Sequence, residues 1–185
     1  MKRVLHIACL LTFVALFAAC GDNIPVIELP EDNSAAVKEH MINANRVVIR
    51  SEETQIECYL QRRNWSTTPL PCGARYMTYT PGTGAAVNPD DTVAVQYRLE
   101  ALDGSAFYTD QTDTLVVGRH QVTVALDDLL QQMRYGGQAW LIAPSNSAYG
   151  VVGDGDRVPS RTVIVYNVTK VAPIHSQPKK TTNNK

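Results

Sequence analysis

The sequence predicts an α+β fold, and three stretches carry the prediction. Val93, Val95, Tyr97 and Leu99 alternate with Ala94, Gln96, Arg98 and Glu100, the period of two that marks a half-buried strand with Tyr97 pointing inward. Val122, Leu126, Leu129, Leu130 and Met133 recur at helical spacing with Asp127, Asp128 and Gln131 between them, giving the single apolar stripe of a helix laid on a sheet. Asp103-Gly104 follows the alternating stretch and is a hairpin signal, because such a pair supplies the positive φ of a tight turn.

The chain of 185 residues is long enough for one full domain plus extensions. Its 44% hydrophobic and 19% charged content fits a soluble globular protein rather than a disordered one. A net charge of −1 leaves no electrostatic footprint for nucleic acid. Lys2 and Arg3 precede an apolar run from Val4 to Ala19, followed by Cys20. A charged start, a short apolar run and small residues before a cleavage point read as a secretory signal over residues 1–19. The run, at about 16 residues, is shorter than the ~20 that span a bilayer. Ala18-Ala19-Cys20 is similar to a bacterial lipobox, although Phe17 departs from it, and implies lipidation of Cys20 and a membrane anchor; plain cleavage after Ala19 is the alternative. Export would permit a disulfide between Cys58 and Cys72, though nothing in the sequence brings their β-carbons together. The Cys and His residues have no zinc-like spacing, and no metal or cofactor is expected.

In chain order, residues 20–34 contain Pro25 and Pro30 among polar residues and read as a tether. Residues 35–72 read as an N-terminal helical segment. Ser51 is its candidate N-cap, with Glu52 and Glu53 in the first turn and an apolar face at Ile56, Tyr59 and Leu60. Pro69 and Pro71 are expected to end it. A domain over 73–173 starts with a strand from Gly73 to Tyr79, then turns at Pro81–Gly84 and Pro89–Asp91. The alternating strand follows. Two more strands are expected, one starting at Phe107-Tyr108 and a short one from Thr114 to Val117 closed by Gly118. Thr123 is the expected cap of the short helix, and Gly136-Gly137 its end. Ala139 to Ala143 is an apolar strand bounded by Pro144. Val163 to Val168 is β-branched enough to be a central strand covered on both faces. Residues 174–185 read as a disordered tail.

The order of Val117-Gly-Arg-His-Gln-Val122, Leu126–Met133, Ala148-Tyr149-Gly150, Val158-Pro159 and Val163–Val168 resembles the second half of an FKBP-type peptidyl-prolyl cis-trans isomerase domain. The likeness extends from about Tyr76 to Val171. It implies a twisted antiparallel sheet wrapped around one short helix, with an apolar pocket between them that accepts a prolyl peptide bond. It also implies the residues of that pocket. Tyr97 stands at the inward strand tyrosine, Phe107 at the flap phenylalanine and Tyr149 at the loop tyrosine, the three positions taken as catalytic. Val122, Thr123 (through its backbone N–H), Leu126, Val158 and Tyr166 stand at positions taken as substrate-binding. Gln61-Arg-Arg-Asn-Trp65, ahead of a strand near Tyr76, is similar to FKBP-type lipoproteins of Bacteroidetes-like bacteria.

The departures are specific. Leu126 replaces the family's pocket-floor tryptophan, and Tyr108 replaces the aspartate that pairs with the strand tyrosine. The loop between Tyr108 and Leu115 is short, and a second pocket phenylalanine has no counterpart. The Tyr97 hydroxyl therefore needs another partner, and Asp110 and Asp113 are both candidates. Two functions follow from the resemblance. One is an isomerase or folding helper of the bacterial cell envelope that acts on proline-containing polypeptides, supported by Tyr97, Phe107 and Tyr149. The other is a catalytically lapsed binding module within an envelope or surface assembly, supported by Tyr108, Leu126 and the short loop. The sequence does not state an oligomeric state.

Overall fold

The computed structural model describes residues 34–174. The expected signal peptide over 1–19, the lipidation site Cys20, the tether up to residue 33 and the tail from 175 lie outside the described residues. The chain divides into two compact units, 1–41 and 42–185, and of the first only helical residues from Ser34 on are described.

The N-terminal segment is one helix, α1 (Ser34–Arg63), rather than a helix beginning at Ser51. Residues 35–49 already favour helix, so nothing restarts it. Ser51 sits mid-helix, where its hydroxyl accepts a hydrogen bond from Gln55 Nε2 at 3.3 Å. The end comes before the prolines. Asn64 adopts a left-handed backbone (φ 52°), and the Asn64 and Trp65 amides donate to the Gln61 and Leu60 carbonyls, closing the last turn. Arg63 lies 4.4 Å from the Tyr59 ring centre and covers that end.

Six strands form one antiparallel sheet: β1 (Thr68–Pro69), β2 (Arg75–Thr80), β3 (Thr92–Ala101), β4 (Ala106–Val116), β5 (Gln138–Ala143) and β6 (Ile164–Pro173), in the spatial order β1-β2-β5-β6-β3-β4. One short helix, α2 (Val124–Leu130), crosses it. The strands expected at Phe107-Tyr108 and Thr114–Val117 are a single strand, β4. Its pairing with β3 shifts register between Tyr97 and Leu99 and again before Glu100, which absorbs the irregular stretch. β6 runs on to Pro173, beyond Val168, because Val171 and Pro173 still pair with Val95 and Val93. α2 is shorter than the apolar stripe that predicted it. Its last turn tightens, with the Gln132 and Met133 amides donating to the Leu129 and Leu130 carbonyls, and Met133 is buried from that turn.

The alternation in β3 sends Val93, Val95, Tyr97 and Leu99 into the main core with Leu141, Ile164, Tyr166 and Val168. Leu126, Leu129 and Leu130 of α2 close that core and are fully buried. Each such leucine contributes about 1.5–3 kcal/mol relative to exposure. Ile142, Val163 and Val165 point to the opposite face, where Ile56, Tyr59 and Leu60 of α1 cover them. β6 is therefore central and covered on both sides, as its composition predicts. Cys58 and Cys72 are free thiols and form no disulfide.

The sequence places Glu52 in the first turn of a helix, where negative charge is favoured, but in the structure it lies mid-helix. It is buried there, at 4% exposure. One carboxylate oxygen accepts the Ser145 hydroxyl at 2.6 Å and the other accepts the Ser145 amide at 2.9 Å. These charge-assisted bonds fasten α1 to the loop that leaves β5. Hydrogen bonds to a charged group contribute ~1.5–3 kcal/mol, and a buried donor left alone costs a similar amount. Glu52→Ala is expected to lower unfolding stability in urea by about 2–3 kcal/mol, and Glu52→Gln by less. A Glu52→Ala midpoint equal to that of the parent would show that the pair holds nothing.

Candidate functional site

A cavity of about 380 Å³ opens where the start of α2 stands over the sheet. Tyr97, Asp113, Gln121, Val122, Thr123, Leu126, Ala148, Tyr149 and Tyr166 line it. Leu126 and Tyr166, both essentially unexposed, supply its deep side. The Tyr97 ring meets the Tyr166 ring edge-on, with centres 5.4 Å apart at 64°.

Each hydroxyl here has a local cause for its position. Tyr97 points inward because β3 alternates, and its phenol donates to Asp113 Oδ2 at 2.7 Å. Of the two carboxylates that could have replaced the missing aspartate, β4 supplies Asp113. Asp110 accepts a hydrogen bond from Gln96, a residue of the opposite parity on β3, at 2.7 Å. Thr123 occupies the N-cap position of α2 with extended backbone angles, yet its hydroxyl does not cap the helix. It lies 2.9 Å from the buried Tyr166 hydroxyl. The Thr123 N–H has no backbone acceptor among the described residues. Tyr149 follows the single 3-10 turn Ser145–Ser147, whose first residue Glu52 holds.

Six of the eight sequence-predicted residues meet at this cavity: Tyr97, Tyr149, Val122, Thr123, Leu126 and Tyr166. Phe107 and Val158 do not line it. Phe107 is partly buried against the main core, and Val158 is buried within it. Val158 is placed there by a turn in which its amide, with those of Asp156 and Arg157, donates to Asp154 Oδ1. Gly153 starts that turn with φ 78°, and a side chain on it would collide with the Val158 carbonyl. The Tyr108 hydroxyl donates to Asp154 Oδ2 at 2.6 Å. Arg157 reaches back over the Tyr108 ring and donates to the Phe107 carbonyl. Gln121, Ala148 and this Tyr108–Asp154 latch lie outside the predicted site, whereas Asp113 is one of the two partners the sequence offers for Tyr97. The cavity is also more polar than the apolar pocket that the resemblance implies, since Tyr97, Thr123, Tyr149, Tyr166, Gln121 and Asp113 all border it.

Burial, then the Asp113 hydrogen bond and charge, hold the Tyr97 phenol well above the ordinary tyrosine range. Burial alone is the first cause for Tyr149 and Tyr166, and Tyr166 is displaced far upward. The hydrogen bond to Asp154, then burial, pushes Tyr108 up to about 12. Burial opposes ionisation of Asp154, but the Tyr108 hydroxyl and the three amides of its turn outweigh it and leave the carboxyl below the usual carboxylate value. These phenols are therefore neutral hydroxyls at any physiological pH. Unfolding returns each to an ordinary pKa of 10.0, so stability is intact below pH 10 and falls as the pH rises beyond it. Phenolate absorbance is expected to lag in the native state and then appear cooperatively with loss of near-ultraviolet circular dichroism. Ionisation of the buried tyrosines near pH 10 with native dichroism retained would contradict the packing described.

Residues 84–170 match the family model described as FKBP-type peptidyl-prolyl cis-trans isomerase. A curated relative, "Probable FKBP-type peptidyl-prolyl cis-trans isomerase FkpA" of Neisseria meningitidis serogroup B (strain ATCC BAA-335 / MC58), is 25% identical over 147 residues, covering 77% of this chain. The chain spans about half of that relative's length (52%). A peptidyl-prolyl cis-trans isomerase from Pseudomonas syringae pv. tomato str. DC3000 is similar in structure, with TM-score 0.57 and 26% identity over 71% of this chain and 96% of that one. The N-terminal domain of FKBP42 from Arabidopsis thaliana shares the fold, with TM-score 0.54 and 20% identity over 60% of this chain and 94% of that one. Through the domain spanned by residues 84–170, the chain belongs to the FKBP-type peptidyl-prolyl cis-trans isomerase family.

Proposed function

We propose that this protein is a peptidyl-prolyl cis-trans isomerase that assists folding in the bacterial cell envelope, with its domain at 73–173 held to a membrane through Cys20. The observation that carries the catalytic part is the meeting of Tyr97, Tyr149, Thr123 and Leu126 around one cavity. The signal-like residues 1–19 and the Ala-Ala-Cys20 sequence support the location and the anchor.

Rotation about a peptide C–N bond faces a barrier of ~18–20 kcal/mol, because resonance is lost in the twisted form. Cis and trans X-Pro bonds are close in energy but exchange over tens of seconds or longer. Catalysis needs tighter binding of the twisted imide than of the planar one, and no nucleophile. Leu126 offers the proline ring an apolar surface. The Thr123 N–H and the Tyr149 hydroxyl are the donors available to peptide carbonyls. Tyr97 is committed to Asp113, so its role is to hold the wall. Leucine in place of tryptophan leaves the floor wider and still apolar. Tyr108, bonded to Asp154 and not to Tyr97, favours the second reading, a lapsed binding module of an envelope assembly.

A protease-coupled assay on an Ala-Leu-Pro-Phe peptide separates the two readings. The first expects a rate that rises linearly with enzyme; folded protein at micromolar concentration with no acceleration would leave only the binding module. Tyr149→Ala is expected to lower kcat/KM more than about tenfold, the equivalent of ~1.4 kcal/mol. Tyr97→Phe removes one hydrogen bond and is expected to cost about fivefold. Equal rates for both variants and the parent would move the site elsewhere.

A further inference from the structure

The cavity wall carries one ionisable carboxylate, Asp113, and no cationic side chain lines the cavity. Asp113 accepts from the Tyr97 hydroxyl at 2.7 Å and from Gln111 Nε2 at 3.3 Å, both neutral donors. Among the described residues it has no ion-pair partner. Three basic side chains near these residues in sequence contact other carboxylates: Arg119 meets Asp90 at 2.7 Å, His120 meets buried Asp127 at 3.1 Å, and Arg157 meets Asp156 at 3.7 Å. A carboxylate accepts up to about four hydrogen bonds, so Asp113 retains acceptor capacity beside the cavity. Burial is the main reason that the Tyr149 phenol holds its proton, and the charges of Asp154 and Asp113 add to it.

We propose that the cavity selects prolyl segments with a lysine or arginine immediately before the proline, and that Asp113 is the counter-charge that makes this selection. The proposal rests on reading the cavity as a prolyl site and names its substrate class. With the proline ring over Leu126, a long cationic side chain from the preceding residue extends along the Tyr97 wall to Asp113. A glutamate in the same place is repelled. The wall is half-buried, so the attraction is stronger than in bulk water and remains sensitive to salt.

The test uses Ala-Lys-Pro-Phe, Ala-Leu-Pro-Phe and Ala-Glu-Pro-Phe peptides, with Kd from NMR shifts of the labelled protein and exchange rates from the coupled assay. At low ionic strength the lysine peptide is expected to bind about fivefold more tightly than the glutamate peptide, with leucine between. The gap is expected to close at about 0.5 M salt, where the screening length is only a few ångströms. Asp113→Asn, which keeps an acceptor for Tyr97, is expected to bring the three Kd values within about twofold of one another at low salt. Equal affinities for lysine and glutamate in the parent overturn the proposal, as does a gap that Asp113→Asn leaves intact. If that variant does not fold, the salt dependence in the parent decides by the same criterion. Charge-ranked binding without turnover would remove the isomerase reading and leave this one standing. Turnover without charge ranking would do the reverse, and binding of none of the peptides overturns both.

Discussion

The structure depends on satisfying one buried hydroxyl. Tyr166 lies on the central strand β6, is 1% exposed, and carries its phenol at the deep side of the cavity. A buried polar group without a partner costs about 1–3 kcal/mol, so a bond to this hydroxyl is strongly stabilising. The Thr123 hydroxyl supplies it, at 2.9 Å. With its hydroxyl turned to Tyr166, Thr123 makes no side-chain cap on its own helix, and the start of α2 is tied to the central strand of the sheet. Leu126 and Leu129 then fall into the core, while the space between the helix start, Tyr97 and Tyr149 remains open. Fold and site thus share a cause: the bond that positions the helix also sets the depth of the cavity beneath it.

What the sequence makes legible is periodic or local. The alternation of β3 fixes the inward face of Tyr97, and the apolar stripe of α2 fixes which side of the helix is buried. The family pattern adds the neighbourhood of Thr123, Leu126, Tyr149 and Tyr166, which no periodicity supplies. What stays hidden depends on register. Asp110 and Asp113 are both acidic residues on β4, separated by an odd number of positions, so they point to opposite faces. Choosing between them requires knowing that Gln111 stands opposite Tyr97 and that the pairing slips just beyond it. Phe107 and Val158 do not line the cavity, for a related reason. Their positions follow from the Tyr108–Asp154 contact and the turn around Asp154, which join residues far apart in the chain.

Tyr108 changes meaning once its partner is known. Read as a substitution, it is the loss of the carboxylate that orients the strand tyrosine. In the fold, that carboxylate is supplied further along the same strand by Asp113, and the vacated position serves another purpose. Tyr108 reaches Asp154, whose other oxygen gathers three amides, and Arg157 closes back over the Tyr108 ring. The loop after Tyr149 is thereby fastened to β4. The two changes are coupled: moving the acid to Asp113 keeps Tyr97 satisfied and leaves Tyr108 available as a latch.

The loop that carries Tyr149 is held from the opposite face as well. Glu52 belongs to α1, outside the residues that match the family model, yet its carboxylate takes both the amide and the hydroxyl of Ser145, 93 positions away. The 3-10 turn that begins there leads directly to Tyr149, and the Gly150 amide returns to the Ser145 carbonyl at 2.7 Å. A buried carboxylate tolerates little displacement, because its desolvation is offset only while both donors remain in place. The position of Tyr149 is therefore set jointly by the sheet beneath it, the latch on β4 and a helix on the far side of the sheet. Residues 84–170 contain the whole lining of the cavity but not all of the contacts that hold it in shape.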